Sequence, residues 1–243
     1  IKDMQGKHPM NRLVQGDVGS GKTAVAAGTA FTVIKNGFQA ALMAPTEILA
    51  EQHFKSLTTL LEKGGICVGL FTGSQPVAEK RKTLEALASG NIDLLIGTHA
   101  ILSDGVEFNR LGLVVTDEQH RFGVAQRAKL AAKGSNPHLL VMSATPIPRT
   151  LALIIYGDLD ISVLDELPPG RLPVKTYAVG SDKRERAFYY VKKHIDQGRQ
   201  AYIVCPLVEN GEESDLASAT EYAEILSQGL FKGYSLGLLH GRV

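Results

Sequence analysis

Apolar positions along this chain fall into short continuous runs, separated by Gly-containing turns and by stretches with helical spacing. Asn11 to Gln15 reads as a strand entering a core, and Lys22 to Lys35, Ala-rich and free of Pro, as a helix closed near Gly37. Gln39 to Ala44 reads as a buried strand. Ala50, Phe54, Leu57 and Leu61 then recur at steps of 4, 3 and 4, one apolar helical face, with Thr46 suited to cap it and Gly64-Gly65 to end it. Ile66 to Phe71 is strand-like and turns at Thr72-Gly73-Ser74. Pro76 suits the first turn of a helix that runs to about Ser89 and stops at Gly90. Ile92 to Ile96, Leu111 to Val115 and Leu139 to Met142 complete the strand-like runs, with helices predicted over Gly123 to Lys133 and Arg149 to Tyr156.

Strands alternating with helices predict a parallel sheet covered on both faces, a doubly wound α/β domain. Ligand sites in such domains lie at the carboxyl ends of the strands. The pattern breaks near Asp165-Glu166-Leu167-Pro168-Pro169-Gly170, which reads as a linker. Beyond it, strands are predicted over Val174 to Val179, Ala201 to Cys205 and Leu236 to Leu239. A long helix capped by Ser181 or Asp182 and a second reaching about Gln228 lie between them. The division expected is residues 1–158 as a first domain, 159–173 as linker, and 174–243 as the first part of a second α/β unit.

One segment carries specific chemistry. Gly16-Asp17-Val18-Gly19-Ser20-Gly21-Lys22-Thr23 fits G-x-x-x-x-G-K-[ST] and lies between a predicted strand and a predicted helix. The glycines let backbone N–H groups wrap a phosphate chain, and the helix N-terminus adds a positive dipole end. Lys22 has the reach for β- and γ-phosphates, and the Thr23 hydroxyl is a Mg²⁺ ligand type. The bland alternative is a Gly-rich turn that binds nothing.

Asp117-Glu118 ends another predicted strand. Beside a phosphate loop, a first carboxylate holds Mg²⁺ and a second orients and deprotonates water; a solvated acidic pair is the alternative. Ser143-Ala144-Thr145 also follows a strand, where small hydroxyl residues either relay hydrogen bonds or simply turn the chain. Pro45-Thr46, Thr72-Gly73 and Thr98-His99 share that position, so all six segments are expected on one surface.

Composition narrows the classes. The 243 residues are 44% hydrophobic and 21% charged, which suits a packed core rather than disorder. A net charge of +1 neither argues for a nucleic-acid partner nor excludes one. No apolar run reaches the ~18 residues of a membrane span, and no secretory signal is visible. Cys67 and Cys205 lie in apolar runs and are expected as buried thiols in a reducing cytoplasm. No His or Cys pair has zinc-site spacing. The chain starts at Ile1 and stops just after an apolar run, and both ends are expected to be cuts in a longer protein.

The order of the phosphate loop, Ala44-Pro45-Thr46-Glu47, Thr72-Gly73-Ser74, Gly97-Thr98-His99, Asp117-Glu118-Gln119-His120 and Ser143-Ala144-Thr145 resembles a superfamily 2 helicase motor. The closer wording of Gln15 to Thr23, of Asp117 to Val124, of the linker through Arg171 and of Leu239-His240-Gly241-Arg242 is similar to the RecG family of bacterial ATP-dependent DNA helicases, which remodel branched DNA and stalled forks. The related Mfd translocases share this motor type, and Gln119 favours the RecG family over them. The resemblance implies a RecA-like P-loop NTPase domain followed by part of a second. It implies ATP at Gly16, Asp17, Val18, Gly19, Ser20, Gly21, Lys22 and Thr23, with Lys22 also catalytic, Mg²⁺ at Thr23 and Asp117, and Glu118 as base. It implies coupling through Gln119, His120, Ser143 and Thr145, and DNA-backbone contacts at Pro45, Thr46, Thr72, Gly73, Thr98 and His99. It further implies that the family's adenine-reading glutamine, wedge domain and arginine finger lie outside these residues. A small-molecule kinase and a nucleotide-binding module without turnover remain the rival classes.

Overall fold

The computed structural model describes residues 1–117, 129–145, 159–166, 174–205 and 219–239. The chain divides into two compact units, Ile1–Arg171 and Leu172–Val243.

The first unit is built on seven strands: β1 (Asn11–Gly16), β2 (Gln39–Met43), β3 (Val68–Phe71), β4 (Leu94–Gly97), β5 (Leu111–Thr116), β6 (His138–Ser143) and β7 (Asp160–Leu164). They pair in parallel in the order β3-β4-β2-β5-β6-β1-β7. The interior strands read as unbroken apolar runs because both faces of the sheet are covered. Helices α1 (Lys22–Lys35) and α2 (Glu47–Leu61) lie on one face: Ala26, Ala30 and Val33 of α1 and Ala50, Leu57 and Leu61 of α2 pack with Val14, Leu42, Ile96, Val115 and Met142. On the other face Leu87 of α3 (Val77–Ala88), Ile101, Leu102 and Leu130 pack with Ala41, Met43, Leu95 and Val114. Alternate residues of β2 thus serve opposite layers, as the two-residue period of a strand requires.

Local signals act where the spacing places them. The Thr46 hydroxyl accepts from the Leu49 N–H at 3.3 Å and caps α2. Pro76 occupies the residue before α3. The predicted helices over Gly123 to Lys133 and Arg149 to Tyr156 lie outside the described residues, apart from a last turn at 129–131.

Several expectations change. Asp160–Leu164, assigned from sequence to the linker, forms β7 and runs parallel to β1 from Arg12↔Asp160 to Gly16↔Leu164. Its exposed face hides the strand signal that a doubly covered strand would give; Val163 is 58% exposed. Cys67 is exposed, not buried, because it precedes the edge strand β3; Cys205 is partly buried, and both thiols are free.

In the second unit, α4 (Arg184–Ile195) and α5 (Ala219–Gln228) form where helices are predicted. Ser181 and Asp182 do not cap α4; they form a 3-10 turn leading into it, and Lys183, at the cap position, makes no side-chain cap bond. Phe188 of α4 meets Tyr222 of α5 and Phe231 with ring centroids 6.2 and 5.9 Å apart. The runs 174–179, 201–205 and 236–239 form no ladder among the described residues. Strand-like composition sets a pleated preference, whereas a strand also needs a partner in register.

Candidate active site

The sheet order sorts the candidate residues. The segments after β3, β4 and β2, which carry Thr72-Gly73, Thr98-His99 and Pro45-Thr46, follow three neighbouring strands. The segments after β5, β6 and β1, which carry Asp117, Ser143 to Thr145 and the phosphate loop, follow the next three. In register, Met43 stands opposite both Gly97 and Thr116, Phe71 opposite Gly97, and Gln15 opposite Ser143. All six segments therefore leave the sheet at its carboxyl edge.

The phosphate loop is shaped by its glycines. Gly21 has φ of 99°, the left-handed region that a side chain disfavours, and immediately precedes α1. At Gly16 the demand is space: an added Cβ would stand 2.6 Å from Ser20 Oγ and 2.9 Å from Leu164 Cβ, so β7 and the returning loop close against this position. Lys22 Nζ donates to the carbonyls of Gly16 at 2.7 Å and Asp17 at 2.8 Å, which lays the ammonium along the loop. Ser20 Oγ is buried without a hydrogen-bond partner.

A cavity of about 630 Å³ opens over this loop. Gly19, Gly21, Lys22 and Thr23 form one wall, and Pro45, Thr46 and Leu49 another, with Asp117 and Ala144 between. The Asp117 N–H donates to the Met43 carbonyl at 2.9 Å, and its carboxylate Oδ2 lies 2.6 Å from His53 Nε2 of α2. Ser143 and Thr145 bring their hydroxyl oxygens within 2.9 Å of each other, and the Gln15 amide donates to the Thr145 carbonyl at 3.1 Å.

These residues fit a phosphate with a hard cation. A loop of main-chain N–H groups at a helix N-terminus, with an orphaned buried hydroxyl, suits an anion. Thr23 and Asp117 are oxygen donors, and among the described residues no group of three His, Cys, Asp or Glu forms a metal cage. That donor set suits Mg²⁺, which keeps few protein ligands and shares phosphate oxygens.

At the other segments, Thr72 and Thr98 are buried and His99 is exposed. The Thr72 N–H donates to Gln75 Oε1 at 2.9 Å, and the Ser74 N–H donates to Glu47 Oε1 at 3.0 Å. Hydrogen bonds to Glu47 from the Ser74 side chain and then from the Ser74 N–H hold its carboxyl below its usual pKa. Glu118, Gln119 and His120 lie outside the described residues. His53 escapes the motif reading; the one signal for it is its place on the Ala50–Leu57 face of α2, a polar residue in an apolar stripe.

A model of the DEAD/DEAH box helicases matches residues 2–154. The chain belongs to the DEAD/DEAH box helicase family. The matched span contains the phosphate loop, Asp117 and Ser143 to Thr145. Among curated relatives, the ATP-dependent DNA helicase RecG of Bacillus subtilis is 52% identical over 99% of this chain and 35% of its own length. That of Thermotoga maritima is 48% identical over 99% of this chain and 31% of its own. The chain thus spans about a third of the length of these relatives. Among solved structures, RecG bound to a three-way DNA junction superposes with a TM-score of 0.77 at 45% identity, covering 93% of this chain and 29% of that one. The helicase MrfA bound to DNA, 20% identical with a TM-score of 0.53 over 68% of this chain and 26% of its own, shares the fold. The parallel sheet with helices on both faces is thus a RecA-like helicase domain. No helix among the described residues is long and apolar enough to cross a membrane.

Proposed function

We propose that this chain is the ATP-binding motor portion of a RecG-like DNA helicase, which couples ATP hydrolysis to remodelling of branched DNA and stalled forks in recombination and repair. The observation that carries this reading is 52% identity to a RecG helicase across a chain whose phosphate loop and Asp117 line one cavity. Superposition on a RecG held at a three-way DNA junction supports DNA as the partner. That substrate lies in the bacterial cytoplasm, and the protein with it. We assign the unit Ile1–Arg171, which includes β7, to the first motor domain and the unit Leu172–Val243 to the beginning of a second.

In this reading the loop amides and Lys22 bind the ATP phosphates, with Lys22 exchanging the Gly16 and Asp17 carbonyls for phosphate oxygens. Thr23 and Asp117 hold Mg²⁺, which when bound neutralises charge on the transferring phosphate. Glu118 orients and deprotonates water. Gln119, His120, Ser143 and Thr145 link the hydrolytic site to movement. Pro45, Thr46, Thr72, Gly73, Thr98 and His99 meet the DNA backbone, where contacts carry no sequence information. The adjacency of β3, β4 and β2 supports grouping these last three pairs on one track.

The test is made on the full-length protein that carries this chain. ATPase is measured with and without a three-way junction, and junction unwinding alongside it. DNA-stimulated hydrolysis with unwinding, both lost in Lys22→Ala, is the expected result. Phosphoryl transfer to a small metabolite, or nucleotide binding without turnover, would replace this reading.

A further inference from the structure

Helix α2 touches both halves of the carboxyl edge. Its cap, Thr46, and Leu49 in its first turn line the cavity over the phosphate loop. Glu47 binds the Ser74 N–H in the turn after β3, and Lys80 Nζ donates to the Gly73 carbonyl in that same turn. Further along, His53 Nε2 meets Asp117 Oδ2 at 2.6 Å, with the two side chains only 11% and 12% exposed. An ionised carboxylate only accepts, so Nε2 carries the proton in this bond. One helix therefore joins the turns after β2 and β3 to the carboxylate after β5, with its hydrogen bond in a nearly dry position.

We propose that His53 is the positioning residue for Asp117, holding the rotation of its carboxylate toward the cation site and transmitting displacement of α2 to that site. The proposal rests on the reading of Asp117 as a Mg²⁺ ligand. A carboxylate turning about its terminal bond offers a cation a changing face; a buried donor on one oxygen fixes that face. Partners standing behind metal ligands typically account for ~10–100-fold in metal affinity. Because α2 is capped by Thr46 and tied through Glu47 to the Ser74 N–H, a displacement of those turns would reach His53 along the one helix. Glu118 is not required for this route, and Ser143 and Thr145 lie on the opposite side of β5, after β6.

The test uses the full-length protein and reads the Mg²⁺ concentration needed for half-maximal binding of a fluorescent ATP analogue, independently of turnover. His53→Leu keeps bulk but removes the donor; His53→Gln keeps an N–H close to the position of Nε2. The expected result is a roughly tenfold higher Mg²⁺ requirement for His53→Leu and near wild-type behaviour for His53→Gln. Analogue binding without Mg²⁺ should be unchanged in both. A wild-type Mg²⁺ requirement in His53→Leu overturns the proposal. Asp117→Asn in the same assay separates the two layers: if it too leaves the Mg²⁺ requirement unchanged, the cation site itself is misassigned. Histidine-labelled wild-type protein gives an answer that needs no folded Leu variant, with the His53 ring signal identified by its loss in His53→Gln. That signal moves on adding Mg²⁺ and nucleotide if His53 positions the ligand, and an unmoved signal overturns the proposal.

Discussion

Gln15 and Thr145 are joined across the β1–β6 ladder: the Gln15 side-chain amide donates to the Thr145 carbonyl at 3.1 Å. Gln15 is the last residue before the phosphate loop, is buried, and stands opposite Ser143 in register. Ser143 in turn accepts from the Thr145 N–H at 3.2 Å. The start of the nucleotide loop and the hydroxyl pair thus form one hydrogen-bonded unit within the first domain. Neither hydroxyl ionises, and the role proposed for the pair is transmission rather than chemistry. In the full-length protein, Ser143→Ala with Thr145→Ala should spare most DNA-stimulated ATP hydrolysis and impair junction unwinding. If both activities fall together, the pair belongs to the hydrolytic site.

Lys22 offers a direct measure of the loop. Its ammonium holds two loop carbonyls, and phosphate oxygens must compete with those bonds. A charge-assisted hydrogen bond is worth roughly 1.5–3 kcal/mol, so even the lower figure leaves about a factor of ten. Lys22→Ala should weaken ATP binding at least tenfold by calorimetry. Unchanged affinity would remove Lys22 from the site.

The motif regions were legible in the sequence because their signals are local. The run from Gly16 to Thr23 states its own backbone demands, and Thr46 and Pro76 sit at helix starts for reasons written in neighbouring residues. What was not legible depends on partners far along the chain. Asp160–Leu164 becomes a strand by pairing with β1, about 150 residues earlier, and its own composition is too mixed to announce it. His53 is a single polar position in an apolar helical stripe, and only the fold brings it to Asp117. Cys67 looks like a core residue by its neighbours, yet the strand that follows it is an edge.

His138 gives stability a pH dependence. Its Nδ1 accepts the Met10 N–H at 2.8 Å, and burial pushes its pKa below the ordinary imidazole value. The folded state therefore favours the neutral ring, while the unfolded chain binds a proton more readily. The stabilising contribution is full above the unfolded pKa of about 6.5 and is lost as pH falls from there toward the lower folded value. His138→Gln keeps an acceptor that does not titrate. Urea midpoints between pH 7.5 and 5 should fall more steeply for wild type than for the variant. Parallel slopes would exclude His138 as the source.

Glu118 separates chemistry from binding. Its place beside Asp117 and the helicase family match motivate its assignment as base. In the full-length protein, Glu118→Gln keeps size and hydrogen bonding but cannot take a proton. Turnover should fall by ~10²-fold or more with ATP and DNA binding retained. Normal hydrolysis in this variant would move the base to another residue.

The isolated 243-residue chain carries Lys22, Thr23, Asp117 and Glu118 but spans about a third of the related helicases. In the helicase reading, arginines supplied from outside the phosphate-loop domain act on charge in the transition state. Such a finger contributes about 10³–10⁵ in rate in other phosphoryl-transfer enzymes, and the lower figure corresponds to roughly 4 kcal/mol of transition-state stabilisation. Ground-state binding depends more on the phosphate loop, which is intact here. Measured on the purified chain, Mg²⁺-nucleotide binding should be detectable, ATPase close to background, and stimulation by branched DNA absent. Robust DNA-stimulated hydrolysis by this chain would mean either that the arginines are within it, or that two copies complete one site between them. A rate linear in protein concentration selects the first explanation, and a rate rising with its square selects the second.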